Sequence, residues 1–560
     1  MMRSRRAQIG SVRPRFGTVS TLMTQPPAIN RTPANGDPLA NTLDSDCESA
    51  VRSVAVIDVG TSAVRMTIAE ITSKKQVRIL ERLSQAVSLG KDAFTKGLIQ
   101  HQTVEDCVRV LKGYRHILDE NQITHPEQLR VVATSAVREA QNRLAFLDRV
   151  YSATGFQIET IDEAEINRAT YLGMLPFLNS DKEFQHSTNI ITEVGGGSTD
   201  LLVLQQENVT YAHSYRLGSL RLREILEAYR APRTRMRQIM ESQIDRTIEA
   251  IRSHLPPEGP FELIAAGGDV RFAASQLVDA WQTQELGIIS VSDLESFTDQ
   301  ILATTDDELM HRYRLTFADA EMLGPALLTY ARLARSLELS YLRVSNFNLR
   351  DALLNAMATQ GSWTREFINQ IEQSALSLGR KFQFDEQHGR HVSDLCRSLF
   401  RELQDEHRLA PHYETLLILA ALLHEIGAFV NNRGHHKHSM YLISNSELFG
   451  LGQSDLQLVA LVARYHRRAM PKAMHQGYAN LQRDQRIAVA KMAAMLRVAD
   501  SLDASRSQRV RNIQCTKEKT QFVISIQDVD DLSLEQLVLK QKGKLFEGTF
   551  GMPVHLRPIG

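Results

Sequence analysis

From residue 53 the chain alternates between short β-branched runs and stretches of helical period. Val54-Ala55-Val56-Ile57 ends in Asp58 and Gly60, and a second apolar run covers 64–71, so a strand, a tight turn and a strand are predicted. A helix is predicted over 104–120, a strand over 129–133 and a helix over 144–154. The device then recurs: Ile190-Ile-Thr-Glu-Val194, a turn of three glycines, and Leu201-Leu-Val-Leu204. Alternation of this kind predicts an α/β domain, and its duplication predicts two related halves facing a cleft.

From about residue 361 the pattern changes. The stretches 392–403, 413–427, 456–466 and 486–502 carry helical periodicity, and the apolar–polar alternation near 522–526 predicts a small strand-containing C-terminal cap. Residues 1–52 hold too few large apolar groups to fold alone. Arg3, Arg5, Arg6, Arg13 and Arg15 precede the first acidic residue, Asp37, so this segment reads as a disordered basic arm. It lacks the apolar segment of a secretory signal, although an organelle transit peptide has a similar composition. The expected divisions are therefore 1–52 (arm), 53–177 (lobe I), 178–360 (lobe II), 361–509 (helical) and 510–560 (cap).

Length and charge narrow the reading. A chain of 560 residues is too long for one hydrophobic core, and 65 basic side chains cancel 65 acidic ones. A dedicated nucleic-acid coat is excluded by that balance, so any anion must be held by local geometry. Cys47, Cys107, Cys396 and Cys515 are widely separated and form no CxxC pair, which suits a reducing, cytoplasmic setting. No apolar run reaches the roughly 20 residues of a membrane helix.

The candidate chemistry lies in the turns that follow strands. Gly60 in a tight turn lets backbone N–H groups converge on an anion; Thr61 and Ser62 add hydroxyls, and Arg65 follows two residues later. Asp58, at a strand end, is suited to a cation such as Mg²⁺. Gly195, Gly196 and Gly197, then Ser198 and Thr199, permit closer backbone approach than a plain hairpin needs. Thr134, Ser135 and Arg138 also follow a strand, as do Gly267 and Gly268, at the carboxyl ends where ligands bind in open α/β sheets. Four such turns in one region point to a cleft for polyphosphate or nucleotide.

These residues resemble the exopolyphosphatase/guanosine pentaphosphate phosphohydrolase (Ppx/GppA) family. Matching stretches are 56–64, 131–142, 161–173, 194–203, 215–224 and 265–271, then 420–427, 434–450, 460–468 and 496–506. The resemblance implies a two-lobed, actin-like (ribonuclease H-like) fold followed by a helical HD-like domain, and a homodimer. It further implies Mg²⁺- or Mn²⁺-assisted attack of water on a phosphoanhydride. Inorganic polyphosphate is the first substrate expected, with guanosine pentaphosphate the alternative. A phosphate-binding regulator that has lost turnover is the competitor from another class. No nucleic-acid or membrane partner is implied.

Four departures fall in the implied site, the first being Ser62 where the family has an Asn. The family's Glu-Glu-Ala-Arg run becomes Glu165-Ile166-Asn167-Arg168, placing Ile166 where the family's base is assigned. The remaining candidates for the base are Glu165, Glu163 and Glu193. Glu193 stands for the family's Asp before the glycine triplet and is also a candidate metal ligand beside Asp58; Asp200 stands for a Glu. Arg221, in a basic segment resembling the family's, is expected to face the cleft. In the helical region His388, His424, Glu425 and Asp500 lie where the HD superfamily places metal ligands for a second divalent ion, with His435, His436, His438 and His466 able to complete a site. Glu425 in place of the shorter Asp tips the reading away from a working metal centre. The competing expectation is that these histidines line a polar helix interface. Arg464, His466, Arg467 and Arg468, beside Tyr465, are expected to flank a polyphosphate groove or to end a solvated helix.

Overall fold

The computed structural model describes residues 51–559 except 181–182, 229–231, 258, 280, 282–284, 360–362, 528 and 530. The expected basic arm, and Cys47 within it, lie outside the described residues. Strands β1 (Arg52–Val59), β2 (Ala63–Ile71), β3 (Val77–Ala86), β4 (Leu129–Ala133) and β5 (Ile158–Thr160) form a sheet of order β3-β2-β1-β4-β5. β1 runs antiparallel to β2 and parallel to β4.

A second sheet repeats this plan. It holds β6 (Thr188–Val194), β7 (Thr199–Gln205), β8 (Asn208–Tyr215), β9 (Phe261–Ala266), β10 (Gly287–Ser290) and β11 (Tyr341–Val344), in the order β10-β11-β9-β6-β7-β8. β6 is antiparallel to β7 and parallel to β9, as β1 is to β2 and β4. The two related halves expected from the duplicated strand–turn–strand pattern are therefore present, in the two-lobed, actin-like arrangement that the resemblance implies.

Side chains alternate across each strand, so each sheet has two covered faces. In β1, Ala55, Ile57 and Val59 face the helices His101–Glu120 and Arg143–Thr154, whereas Val54 and Val56 face Leu353 and Leu354 of the helix Leu349–Ala358. That helix falls in the range expected for lobe II but packs on the lobe I sheet. The chain thus returns to the first lobe before entering the helical region. In the second sheet, Ile190, Leu201, Val203 and Leu263 face one core, built with the helix Phe317–Ser336. Ile191, Leu202, Leu204 and Ile264 join a core shared with the helix Glu163–Ser180 and the helical region. Lobe II and the helical region consequently share one continuous apolar core.

The helical region comprises Arg365–Lys381, Glu386–Glu402, His412–Leu423, His435–Ser444, Gln453–Arg464 and Arg483–Leu502. Its cap is a sheet of β12 (Ile513–Lys517), β13 (Phe522–Gln527) and β14 (Val554–Ile559) with the helices Ser533–Lys542 and Lys544–Phe550. Among the described residues no helix is long and apolar enough to cross a membrane.

One buried phenol fixes the turns at the ends of β6 and β9. The hydroxyl of Tyr330, a fully buried side chain, accepts a hydrogen bond from the Val194 N–H (2.7 Å) and donates to the Ala266 carbonyl. Gly267 follows at φ +118°, a conformation that favours glycine, and a Cβ there would meet the Tyr330 hydroxyl at 3.0 Å. Tyr330→Phe should leave a buried N–H and carbonyl unpaired, lowering stability by about 1–3 kcal/mol. The measurement is the urea midpoint by circular dichroism; an unchanged midpoint would refute this anchoring role.

Candidate functional site

The four strand-ending turns converge on one cleft of about 450 Å³. Its walls include Asp58, Gly60, Thr61, Ser62 and Arg65 from the β1–β2 turn, and Thr134, Ser135 and Arg138 after β4. From lobe II come Glu193, Gly195, Gly196, Gly197 and Ser198, then Gly268, Asp269 and Arg271. Helix Leu349–Ala358 adds Arg350.

The glycine loop touches the other lobe. A Cβ at Gly197 would stand 2.5 Å from Ser135 Oγ and 2.5 Å from Phe94 Cζ, and one at Gly196 would stand 2.9 Å from Thr61 Cγ2. These glycines therefore leave room for lobe I as well as for a ligand. Thr61 and Ser135 lie 3.4 Å apart, oxygen to oxygen, so their hydroxyls form a single polar edge opposite the loop. From behind, Arg221 holds the loop: its Nε donates to the Gly197 carbonyl (3.0 Å), its Nη2 to Glu139, and its guanidinium lies over Phe94 at 4.0 Å. Arg221 is thus a brace for the loop and does not line the cleft.

Carboxylates crowd the floor. Asp58 accepts from Arg350 Nη1 at 3.3 Å through Oδ2, while its buried Oδ1 has no hydrogen-bond partner. Glu193 is opposite Asp200 across the β6–β7 pair. Burial, together with Asp200 and Asp58, pushes the Glu193 carboxyl up to about 7. Burial and Glu163 push Asp200 up to about 6, against the Ser214 hydrogen bond that lowers it. Burial and Asp319 push Asp269 up to about 7. Such crowding of hard oxygen donors around an orphaned carboxylate oxygen fits a divalent cation such as Mg²⁺.

The predicted residues do not all meet there. Thr199 is buried and donates to the Leu217 carbonyl (2.5 Å), so it stabilises the turn, and Gly267 sits against Tyr330 instead of in the cleft wall. Glu165 also lies outside the lining: it accepts from Arg130 Nη2 at 2.5 Å and lies 3.4 Å from Arg168 Nη2. Glu163 is half-exposed in an adjoining groove, 3.5 Å from Arg138 Nη2. Ile166 lines the cleft and joins an apolar core with Leu353 and Leu354. Arg271 and Arg350, cleft cations that the turn pattern did not single out, come from a helix start and a helix far along the chain.

In the helical region ligand atoms of His388, His424 and Glu425, and of Glu425, His435 and His466, gather near one another, with Asp500 beside His388 and His424. His466 and Tyr465 are buried, which removes both from the expected basic surface cluster.

A family description reading "Ppx/GppA phosphatase family" matches residues 67–360, more than half of the chain, and "Ppx/GppA phosphatase, domain III" matches 371–543. The chain belongs to the Ppx/GppA phosphatase family. It is 23% identical over 448 residues to a guanosine-5'-triphosphate,3'-diphosphate pyrophosphatase of Photobacterium profundum, covering 77% of this chain and 84% of that one. A protein of the same name from Vibrio vulnificus is 24% identical over 442 residues, covering 75% and 82%. A solved exopolyphosphatase of Cytophaga hutchinsonii is 22% identical with a TM-score of 0.48, covering 55% of this chain and 98% of that one.

The expected family, fold class and phosphoanhydride-hydrolase class therefore stand, and phosphatases of this family generally depend on a divalent metal. Ile166, which the resemblance set where the family's base is assigned, stands on the cleft wall. The glycine loop gives a direct test of lobe contact. Gly197→Ala should force the loop off Ser135 and Phe94 and reduce kcat/KM by ~10²-fold, the scale of a 1 Å misplacement. Steady-state phosphate release, with circular dichroism to verify folding, checks it; an unchanged rate would show that the lobes can separate without loss.

Proposed function

We propose that this Ppx/GppA phosphatase removes the terminal phosphate of guanosine pentaphosphate by attack of water, with Glu193 as the general base. Inorganic polyphosphate, the first expectation, is the second reading. The supporting observation is the groove of about 410 Å³ that shares Arg138 with the cleft. Its lining includes Tyr211, His213 and Gln453, groups that stack on a base or bond its edge. Besides Arg138 its charges are Asp162, Glu163 and Glu447, a poor track for a long polyanion.

The amides of 195–197 and the guanidinium of Arg138 would bind the terminal phosphoryl group, while Thr61 and Ser135 orient its oxygens. Glu193, with a carboxyl near neutrality, is matched to accept a proton from the attacking water. Mg²⁺ held by Asp58 and Asp200 would supply charge that these carboxylates otherwise withhold from an anionic substrate. A homodimer in a reducing, cytoplasmic setting completes the proposal, in keeping with free thiols at Cys107, Cys396 and Cys515.

The reading is tested with purified protein and Mg²⁺. Phosphate release should be faster from guanosine pentaphosphate than from long polyphosphate. Glu193→Gln should cost ~10²–10⁴-fold in kcat, the range of a lost general base, whereas Glu165→Gln should retain turnover. Loss of turnover in Glu165→Gln with Glu193→Gln active would return the base to lobe I. Tight nucleotide binding without phosphate release would establish the regulator instead.

The pH dependence follows from the same carboxyls. Folding raises the Glu193 carboxyl from 4.5 to about 7 and Asp200 from 3.8 to about 6, so the folded state binds more protons across that window. Metal-free protein should thus lose stability as pH rises through it, and activity should rise as Glu193 ionises. Mg²⁺ favours the ionised forms, so its thermal shift should be larger above pH about 7 than below about 6. A shift independent of pH would place the cation elsewhere.

A further inference from the structure

The histidines of the helical region carry an inference independent of the cleft. His388 Nδ1 lies 2.7 Å from Asp503 Oδ2, and His424 Nδ1 lies 2.6 Å from the Ala421 carbonyl. His466 Nδ1 is 2.6 Å from the Ala463 carbonyl, and His435 Nδ1 is 3.1 Å from that of Asn432. A carbonyl or carboxylate oxygen only accepts, so each Nδ1 carries the hydrogen and each Nε2 presents a lone pair. That tautomer, fixed by a hydrogen bond behind the ring, is the one a metal-binding imidazole adopts.

The four Nε2 atoms have no ordinary partners. Those of His388 and His424 are buried without a hydrogen bond, in side chains 2% and 1% exposed. Those of His435 and His466 face each other at 3.1 Å, lone pair to lone pair, an arrangement that needs a cation or an added proton between them. Ligand atoms of His388, His424 and Glu425 lie within 4.8 Å of one another, and so do those of Glu425, His435 and His466. Glu425 is common to both triads. Asp500 Oδ1 stands 3.7 Å from His388 Nε2 and 3.9 Å from His424 Nε2.

We propose that the helical region binds two transition-metal ions, one through His388, His424 and Asp500, the other through His435 and His466, with Glu425 shared. Four imidazoles with only two carboxylates suit Mn²⁺, Fe²⁺, Co²⁺ or Zn²⁺ and disfavour Mg²⁺, which demands oxygen ligands. The Glu at 425, one methylene longer than the expected Asp, reaches both triads. Lys542, at the end of the cap helix Ser533–Lys542, ion-pairs with Asp500, and Arg506 Nη2 lies 2.6 Å from Glu425 Oε2. These cations balance the carboxylates when metal is absent, and metal binding would release Lys542 from Asp500.

Cobalt titration of the chelator-stripped, full-length chain tests this, read by visible ligand-field absorption and calorimetric stoichiometry. Two equivalents of Co²⁺ should bind with intense visible bands that excess Mg²⁺ does not displace. His388→Ala with His424→Ala should remove one equivalent, and His435→Ala with His466→Ala the other. Asp503→Ala should weaken binding ~10–100-fold, as the loss of a group that orients a ligand does, and Lys542→Met should tighten it. Glu193→Gln, in the cleft, should leave the titration unchanged. Wild-type chain that develops no ligand-field bands, or binds one equivalent only, would overturn the proposal whatever the variants do.

Discussion

The site depends on how closely two loops from different lobes can approach. Gly196 and Gly197 meet Thr61, Phe94 and Ser135 at distances that no side chain at those positions would allow. Everything else in the cleft follows from that contact. It places the hydroxyl edge of lobe I opposite the amides of lobe II, and it encloses the floor where Asp58 and Glu193 sense each other's charge. Arg221 and Tyr330 brace the loop from two sides, so its position is fixed by bonds that no ligand has to make.

Enclosure creates an electrostatic problem that the fold resolves locally. Asp58, Glu193, Asp200 and Asp269 share a small volume with Arg65, Arg138, Arg271 and Arg350. Burial raises three of these carboxyls toward neutrality, so a cation binding beside them would displace protons. The zero net charge of the chain says nothing about this, because the balance that matters is struck among these side chains and Asp319 beside them. A polyphosphate-bearing ligand and its cation can be accommodated together where neither is favoured alone.

Much of this was legible in the sequence, for physical reasons. Strands β1 and β6 each carry β-branched apolar residues and an acidic residue just before a glycine turn, and their duplication foretold the two sheets. The turn residues Gly60, Thr61, Ser135 and Gly195–Gly197 announced the cleft because few structural needs call for them together. Less was readable where tertiary contact decides. Thr199 and Gly267 have the right chemistry but serve the turn interior. Arg271 and Arg350 reach the cleft from helices, and helical spacing alone does not tell a cleft arginine from a solvated one. The histidine centre was visible as His388, His424, Glu425 and Asp500. The roles of His435 and His466 needed the fold, since only the fold shows which ring nitrogen is committed to a carbonyl.

Ile166 illustrates how packing and catalysis compete for one helix face. The helix Glu163–Ser180 begins at the cleft, where Ile166 and Thr170 form part of its wall, and ends in the core shared with the helical region through Tyr171, Met174 and Leu178. Ile166 also touches the apolar cluster of Leu353 and Leu354, which ties the returning helix to lobe I. A glutamate there would give the cleft a base at the cost of a carboxylate against that cluster. With Glu193 as base, the proton acceptor and the phosphate-binding amides lie on the same strand and turn of lobe II. Their spacing is then set by β6 and would not change with a separation of the lobes. Lobe motion would govern entry of substrate and cation, while the alignment of water with the phosphate cradle would persist through the cycle.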